Sequence, residues 1–272
     1  MEKPVETLPL AVRDLTLSYG ANNVVHHVSL DIARGGVTVL VGGNGCGKST
    51  LLKACARLLR PVEGSVLLDG RAIQRLSTAQ VARELAILPQ TPLSPEGITV
   101  FELVRLGRYP HQSWRQQWSR QDQETLARVL HDTGLEACAH LPVDALSGGQ
   151  RQRAWIAMTL AQDTGILLLD EPTTYLDLAY QIEVLDLLRE LNQRHGKTIV
   201  MVLHDLNLAA RYAHHMIAMR QGRVHAQGRP ADVMTATTVE AVFGLRSRII
   251  EDPVTGTPLC VPIGRVPATG LG

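Results

Sequence analysis

The segment Gly42 to Ser49 is the part of the sequence whose residue types and spacing carry the clearest chemistry. Its letters, GGNGCGKS, fit the pattern G-x-x-x-x-G-K-[ST], and a short apolar run, Val37 to Val41, precedes it as a buried strand would. Glycines allow backbone amides to converge on phosphate oxygens, and a helix that begins near Gly47 adds free amides and its dipole. Lys48 would then neutralise the β and γ phosphates, while the Ser49 hydroxyl would ligate Mg²⁺. This segment, Gly42 to Ser49, is called the phosphate loop below, and it is predicted to bind ATP with magnesium.

A pair of carboxylates ends a second apolar run. Ile166 to Leu169 is typical of a buried strand, and Asp170 and Glu171 follow it directly. In open α/β sheets, ligands lie at the carboxyl ends of the strands. Asp170 therefore suits Mg²⁺, through a bridging water, and Glu171 would orient or deprotonate a water in line with the γ phosphate. A strand that ends in a solvated acidic turn is the alternative, and the phosphate loop elsewhere in the chain favours the catalytic interpretation.

The segment Leu146 to Gln150, LSGGQ, stands immediately before a predicted helix. Ser147 has the residue type of a helix N-cap, and Gly148 and Gly149 leave the amides at the helix start open. These features predict a second anion site in the same chain. A helix cap with a flexible loop explains the same residues by composition alone, and the repetition of phosphate-binding chemistry favours the anion site.

The strands and helices that must position these residues follow from hydrophobic periodicity. Predicted strands are Leu10 to Tyr19, Val28 to Ile32, Val37 to Val41, Val66 to Leu68, Ile166 to Asp170 and Thr198 to Leu203. Predicted helices are Lys48 to Leu59, Thr78 to Leu85, Thr99 to Leu106, Gln121 to Thr133, Gln150 to Leu160, Ala179 to Gln193 and Asp205 to Ala213. Between Thr91 and Leu160 only helices are predicted, which indicates an inserted helical lobe, whereas the strand–helix alternation around it indicates a mostly parallel sheet. The tail from Arg248 to Val266 predicts a small hairpin.

Composition and charge exclude several classes of protein. The chain has 272 residues, of which 45% are hydrophobic and 19% are charged, as in an ordinary soluble globular protein. Its formal net charge of +1 gives no general case for binding nucleic acid or an acidic membrane surface. The apolar runs are much shorter than the ~20 residues of a membrane-spanning helix, and the N-terminus lacks an apolar signal core, so export is not expected. Four cysteines without C-x-x-C spacing predict reduced cytosolic thiols. The adjacent histidine pairs His26-His27 and His214-His215 lack the i,i+4 spacing of metal ligands on a helix, so no structural metal is expected.

With the segments GGNGCGKS, LSGGQ and ILLLDE in this order along the sequence, the chain resembles the ATP-binding subunits of ABC transporters, whose signature is the LSGGQ segment. The similarity extends to about Gly228. It implies an α/β fold with a P-loop (RecA-like) ATPase core, an antiparallel β part and an inserted helical lobe. The implied boundaries are residues 1–90 and 161–235 for the core, 91–160 for the helical signature lobe and 236–272 for a small C-terminal extension.

The resemblance also implies that two copies of the chain enclose two ATP molecules head to tail. Each ATP would lie between the phosphate loop of one copy and the LSGGQ segment of the other. Tyr19 matches the aromatic residue that stacks on adenine, and Asp177 matches the aspartate that communicates across the dimer. The implied nucleotide-binding residues are Tyr19, Gly42, Gly43, Asn44, Gly45, Cys46, Gly47, Lys48, Ser49, Thr50, Gln90, Ser147, Gly148, Gly149, Gln150 and Asp177.

Catalytic and magnesium-binding residues are implied in the same way. Gln90 matches the glutamine that touches Mg²⁺ and links the two lobes, and His204 matches the histidine that contacts the γ phosphate and the catalytic carboxylate. The implied catalytic residues are Glu171, His204 and Lys48, and the implied Mg²⁺ ligands are Ser49, Gln90 and Asp170. One residue departs from the family pattern, because Gly43 stands where proline is most common. Glycine lacks the fixed φ of proline, so we expect a modest loss of preorganisation in the loop.

Weaker motifs bear on the cargo. Four segments are similar to the ATPases of ferric-siderophore importers: Gly97 to Leu103, Gly107 to His111, Glu171 to Asp177 and Leu203 to Asn207. The tail Glu251 to Leu259 resembles ferric enterobactin importers in particular. Haem and cobalamin importers share much of this pattern, so an ATPase of a haem or cobalamin importer is an alternative function. A soluble ABC ATPase that acts on nucleic acid or the ribosome is the rival class.

The importer interpretation implies further partners. Polytopic permease subunits would supply the pore and dock near Gln90 to Tyr109, and a periplasmic or lipid-anchored substrate-binding protein would act through the permease. No nucleic acid is expected. The chain would then lie peripherally at the cytoplasmic face of the inner membrane. The basic and aromatic residues between Arg105 and Arg120, which include Arg108, Trp114 and Arg115, are interpreted as a solvated or permease-facing surface.

Overall fold

The computed structural model describes residues 8–92, 95–112 and 118–265 of the chain. The strands are β1 Leu10–Tyr19, β2 Asn22–Ile32, β3 Val37–Gly42, β4 Glu63–Leu68, β5 Arg71–Ala72, β6 Leu85–Leu88, β7 Ile166–Asp170, β8 Thr198–Val202, β9 His215–Arg220, β10 Arg223–Gly228, β11 Leu245–Glu251 and β12 Pro258–Arg265. The helices are α1 Lys48–Cys55, α2 Thr78–Glu84, α3 Val100–Leu106, α4 Arg120–Asp132, α5 Gly148–Ala161, α6 Leu178–His195, α7 Leu206–Tyr212, α8 Pro230–Val233 and α9 Ala236–Phe243. Within these ranges, none of the helices combines the length and the apolar character that crossing a bilayer requires.

The chain divides into two compact units. The first unit is Met1–Ala72 with Val200–Gly272, and the second unit is Ile73–Ile199. The phosphate loop and His204 belong to the first unit, whereas Gln90, Glu171 and the LSGGQ segment belong to the second. The lobe boundaries implied by the sequence resemblance stay a prediction.

The first unit contains an antiparallel sheet in the order β2-β1-β4-β5. In this sheet β1 lies between two partners, so that Leu10 is opposite Ile32 on one side and Leu68 on the other. All three of these side chains are buried, because one face of the sheet packs on the core. This sheet is the antiparallel β part that the family resemblance implied.

A parallel strand pair in the first unit leads to the phosphate loop. Strand β3 runs parallel to β9, with Thr38 opposite His215 and Gly42 opposite Met219, and β10 pairs antiparallel with β9. Every residue of β3 is buried, as its continuous apolar run predicted. The loop therefore begins at the carboxyl end of a buried parallel strand, and α1 follows it at once.

The second unit pairs β6 in parallel with β7, with Leu85 opposite Ile166 and Leu88 opposite Leu169. Helices α2, α3, α4 and α5 each begin with a capping box. In this motif the hydroxyl of the cap residue accepts the N–H three residues later, and the side chain of that residue accepts the N–H of the cap. The cap residues are Ser77, Thr99, Ser119 and Ser147.

Strands β11 and β12 form the hairpin predicted for the tail. Asp252 closes its turn, because Oδ1 accepts the N–H of Val254 at 2.8 Å and that of Thr255 at 3.4 Å. Hydrogen bonds from the Val254 N–H and from Thr255 hold the pKa of the Asp252 carboxyl below its usual value. The hairpin is fixed to α7 by Asn207, whose Oδ1 accepts the N–H of Cys260 at 2.7 Å.

The four cysteines are free thiols, as their spacing predicted. Cys46, Cys55 and Cys260 are buried, and Cys138 is half-buried. Burial raises the pKa of the Cys55 thiol to about 12, so this group stays protonated and unreactive at neutral pH.

Several elements differ from the sequence-based predictions. Helix α1 ends at Cys55 rather than at Leu59, and Arg57 just beyond it has a left-handed φ of 61°, which turns the chain away from the helix. Strand β6 follows α2 without a loop, and β9, β10, α8 and α9 lie where no element was predicted. Strand β10 gives little apolar signal because its residues alternate between exposed and half-buried positions.

Candidate active site

The phosphate loop holds its lysine in place with backbone carbonyls. Lys48 is 5% exposed, and its Nζ donates to the Gly42 oxygen at 2.9 Å and to the Gly43 oxygen at 3.1 Å. A buried ammonium needs such partners, because desolvation of an unpaired charge is strongly unfavourable. The lysine charge is thereby fixed beside the loop, and the residues at the tip of the loop, Asn44 and Gly45, are exposed.

Helix α1 presents an open N-terminus to this loop. Its N-cap is Gly47, which supplies no side-chain hydrogen bond, and its first turn has no acidic residue. The first amides of a helix have no partner within the helix, so they and the helix dipole favour an anion here. Lys48 and the following residues Ser49 and Thr50 form the first turn, with Ser49 half-buried and Thr50 buried. The arrangement suits a polyphosphate.

Two glycines of the loop have different steric requirements. A β carbon at Gly42 would collide with the carbonyl oxygen of Met219 in β9 and would lie 2.7 Å from Cys46 Sγ, and the φ of Gly42 is +154°. Only glycine fits there. At Gly43 the nearest atom to an added β carbon is the Val242 oxygen, at 3.8 Å, which is an ordinary contact. The neighbouring atoms therefore leave room for a side chain and do not require glycine at position 43.

Two other predicted residues of the first unit lie at the ends of strands. Tyr19 is the last residue of β1 and is 50% exposed. His204 is exposed in the short segment between β8 and α7. The next residue, Asp205, caps α7 by accepting the N–H groups of Asn207 and Leu208, both at 2.8 Å. This cap fixes the direction in which the chain leaves His204.

In the second unit, Gln90 and Glu171 are brought together. Asp170 is the last residue of β7 and is 3% exposed, and Glu171 follows with a left-handed φ of 55°, which is uncommon for a residue other than glycine. Gln90 Nε2 donates to Glu171 Oε2 at 2.7 Å, and Thr174 Oγ1 donates to the same oxygen at 2.9 Å. Two side-chain donors therefore hold the Oε2 atom of this carboxylate.

The start of α5 confirms the predicted helix cap at Ser147. Its hydroxyl accepts the N–H of Gln150 at 3.3 Å, and Gln150 Oε1 accepts the N–H of Ser147 at 3.1 Å. Ser147 and Gly148 are exposed, whereas Gly149 is buried beneath the ring of Tyr180. The Gln150 side chain thus stabilises the helix start, while Ser147 and Gly148 present it to solvent.

Asp177 caps the next helix of the second unit. Its Oδ1 accepts the N–H of Tyr180 at 3.1 Å at the start of α6. The segment from Glu171 to Asp177 therefore runs from the oriented carboxylate to this cap. Sequence reasoning missed the roles of Thr174 and Tyr180. The hydrogen bond from Thr174 to Glu171 depends on the left-handed turn at Glu171, and the contact of Tyr180 with Gly149 depends on packing between α5 and α6.

The interpretation of Arg105 to Arg120 as a surface strip is wrong for Arg108. This residue is 2% exposed, and its Nε donates to Asp122 Oδ1 at 2.7 Å while its Nη1 donates to the Ala161 oxygen at 2.8 Å. It is a buried structural cation that joins the ends of α3 and α5 to the start of α4. Trp114 and Arg115 lie outside the residues that the structure describes.

Exposed apolar groups lie next to this buried pair within the second unit. Tyr109 is 77% exposed and Leu106 is 52% exposed, and both line a cavity of about 570 Å³ together with Ile98 and Glu102. The Arg105 guanidinium lies over the Trp118 ring at 4.9 Å.

Comparisons with known proteins agree with the resemblance that the sequence motifs indicated. The family model for the ABC transporter matches residues 25–174. The achromobactin transport ATP-binding protein CbrD of Dickeya dadantii is 61% identical over 253 residues, which is 93% of this chain and 94% of that protein. The ferric enterobactin transport ATP-binding protein FepC of Escherichia coli is 52% identical over 251 residues, 92% of this chain and 93% of that protein.

A solved structure of a nucleotide-bound dimer has the same fold. It is the dimeric post-hydrolysis state of the ATP-binding cassette MJ0796 bound to ADP and Pi, at 29% identity and a TM-score of 0.70. The match covers 81% of this chain and 98% of that chain. The rest of the present chain lies outside this match.

Proposed function

We propose that this chain, which belongs to the ABC transporter family as an ATP-binding subunit, hydrolyses ATP to drive the uptake of an iron(III)–siderophore complex. The observation that carries the hydrolytic part is the Glu171 carboxylate at the end of β7, oriented by Gln90 and Thr174. The siderophore part rests on the relatives above, one of which is named for ferric enterobactin transport.

The phosphate loop would bind the triphosphate. Backbone amides of the segment from Gly42 to Ser49 and the open N-terminus of α1 would face the phosphate oxygens. Lys48 would exchange its two carbonyl partners for β and γ phosphate oxygens, which are better acceptors because they are charged. Tyr19 would stack on the adenine ring, since it is a half-exposed aromatic residue at a strand end.

The donor set of the chain fits a magnesium ion that is shared with phosphates. Mg²⁺ prefers oxygen ligands and is usually held by one or two protein oxygens together with phosphate groups and waters. Ser49 offers a hydroxyl, Gln90 an amide oxygen and Asp170 a buried carboxylate, and these would hold the ion. When bound, Mg²⁺ would neutralise negative charge on the β and γ phosphates.

Glu171 and His204 would carry the hydrolytic step. Glu171 would accept a proton from the attacking water or orient it in line with the γ phosphate, and the hydrogen bonds from Gln90 and Thr174 hold its Oε2 for this purpose. His204 would contact the γ phosphate from its exposed position after β8. Because Gln90 bonds to the carboxylate directly, movement of Gln90 would alter the orientation of the base.

The functional form is a dimer of ATP-binding subunits with membrane permease partners. We propose that the dimer is head to tail, so that Ser147, Gly148 and Gly149 of one copy complete the ATP site of the other. The exposed start of α5 and its open amides support this arrangement. Asp177 would communicate across the dimer from the N-terminus of α6.

The permease would dock on the cavity that Leu106 and Tyr109 line, because these exposed apolar side chains need a partner surface. The chain would therefore be peripheral, at the cytoplasmic face of the inner membrane. A periplasmic or lipid-anchored substrate-binding protein would deliver the cargo to the permease. No nucleic acid is part of this proposal.

A transport assay tests the cargo. The complete importer in proteoliposomes would be supplied with ferric catecholates, ferric hydroxamates, haem and cobalamin, each with ATP inside the vesicles. ATP-dependent uptake of a ferric siderophore is the expected result, and uptake of haem or cobalamin alone would overturn the proposal. Glu171→Gln should abolish uptake of every cargo.

Head-to-tail completion of the sites is tested with mixed dimers. Ser147→Arg in one copy should disable the site that contains Lys48 of the other copy, because the arginine side chain would occupy the exposed start of α5. Loss of only the site in the same copy would contradict the arrangement.

A further inference from the structure

The N-terminal ends of helices α5 and α6 are packed against each other through an aromatic ring. A β carbon built on Gly149 would lie 2.5 Å from Tyr180 Cδ1, 2.9 Å from Cγ and 3.0 Å from Cε1. The ring of Tyr180 thus fills the space that any larger side chain at position 149 would need. Beside it, Leu176 Cδ2 would be 3.7 Å from a β carbon on Gly148. Two successive glycines of the LSGGQ segment therefore rest on side chains from one short stretch of chain.

That stretch is itself held firmly. The Tyr180 N–H donates to Asp177 Oδ1 at 3.1 Å, and Gln181 Nε2 donates to the Leu176 oxygen at 2.8 Å. Nine residues before Tyr180, the Glu171 carboxylate accepts the Thr174 hydroxyl. The segment from Glu171 to Tyr180 therefore connects the hydrolytic carboxylate of the chain to the helix start that the LSGGQ residues form.

From this packing we infer that Tyr180 is a positioning residue for the LSGGQ helix start. Its ring sets where Ser147 and Gly148 stand, and so sets how they meet the ATP bound by the other copy. The inference rests on the proposed head-to-tail dimer. Without the ring, the buried surface of Gly149 would lose its partner, and the first turn of α5 could shift into the space left behind.

The consequence is specific to one of the two ATP sites. In a head-to-tail dimer, α5 of one copy completes the site that contains Lys48 of the other copy. Loss of the Tyr180 ring in one copy should therefore weaken ATP at the partner's phosphate loop more than at its own. A residue that only stabilised the fold would weaken both sites alike, because each site also uses the damaged copy.

Mixed dimers of two differently tagged full-length copies test this directly. Both copies carry Glu171→Gln, so that bound ATP is retained, and one copy carries Lys48→Ala, so that only one ATP site remains. Tyr180→Ala is then placed either in the Lys48→Ala copy, whose α5 completes the remaining site, or in the other copy. The ATP concentration for half-maximal retention of radiolabelled ATP should rise about tenfold in the first arrangement and at most about twofold in the second.

Two further variants serve as controls for the role of the Tyr180 ring. Tyr180→Phe keeps the ring and should restore retention to within about twofold of the parent dimer. Tyr180→Leu replaces Tyr180→Ala if the melting temperature of the alanine variant shows that it does not fold. Equal effects in the two arrangements, or failure of phenylalanine to restore binding, would overturn the role of Tyr180.

Ser147→Arg in the same pair of arrangements separates this inference from the proposed function. If Ser147→Arg acts on the partner's site while Tyr180→Ala acts on neither or on both alike, the head-to-tail dimer stands and the positioning role fails. If Ser147→Arg acts only on the site in its own copy, the head-to-tail proposal fails instead.

Discussion

Replacing Asp122 with asparagine should destabilise the second unit strongly, because it leaves Arg108 as an uncompensated buried charge. The side chains of Arg108 and Asp122 are 3% and 5% exposed, and Nε and Oδ1 are 2.7 Å apart. The carboxylate uses both oxygens, since Oδ2 accepts the N–H and the hydroxyl of Ser119 at 2.9 and 2.7 Å. An asparagine side chain has only one oxygen that could accept the hydrogen bonds from Arg108 and Ser119. Breaking a buried pair in this way costs about 3–5 kcal/mol.

The pH dependence of the free energy of unfolding tests the role of Asp122 in a second, independent way. Burial tends to raise the pKa of Asp122, but hydrogen bonds from Ser119 and Arg108 outweigh it and hold the pKa below its usual value. The folded chain therefore binds fewer protons than the unfolded chain below about pH 4, where an unperturbed aspartate titrates. The stabilisation is complete above that pH and is lost as the pH falls through the folded-state pKa. The difference in the free energy of unfolding between the parent and Asp122→Asn should therefore stay constant from pH 7 to about pH 5 and shrink as the pH falls below about 4.

Urea unfolding followed by circular dichroism measures both effects, and Glu124→Gln is the matched control. Glu124 also pairs with an arginine, Arg120, but their side chains are 64% and 92% exposed. Its replacement should change the free energy of unfolding by no more than about 0.5 kcal/mol. If Asp122→Asn lost as little as this control at pH 7, the reasoning that Arg108 depends on a buried partner would be refuted.

The remaining predictions concern the phosphate loop and the hydrolytic carboxylate. Glu171→Gln should lower the ATPase rate about 10²- to 10⁴-fold with ATP binding retained and the dimer trapped, while Glu190→Gln at an exposed position of α6 should leave the rate unchanged; unimpaired hydrolysis would refute the catalytic role. Gly42→Ala should abolish ATP binding, measured by equilibrium dialysis, because the methyl group would collide with the Met219 carbonyl; normal affinity would show that the loop relaxes. Gly43→Ala should instead raise the free energy of unfolding by about 0.4–1 kcal/mol with binding retained, because position 43 has room and alanine restricts the unfolded chain; a loss of stability would contradict this.

Features encoded in consecutive residues could be predicted from the sequence. The phosphate loop, the Ser147 cap and the apolar strands β3 and β7 depend on local chemistry, and the structure has them where they were expected. The strand β6 was missed because its four residues follow α2 without a turn signal. Arg108 was misassigned because arginine is usually exposed, and its burial depends on Asp122, which is distant in sequence.

The contact between Gln90 and Glu171 shows why pairing between strands matters for the site. In the parallel pair β6 and β7, Leu88 is opposite Leu169, so positions two residues further along, 90 and 171, leave the sheet side by side. The hydrogen bond between these side chains is therefore a result of strand register, which cannot be read from either segment alone. Gln90 also begins the stretch that leads to the exposed residues Leu106 and Tyr109. If the permease docks on this stretch as proposed and moves it, the movement would reach the Glu171 carboxylate through the hydrogen bond from Gln90.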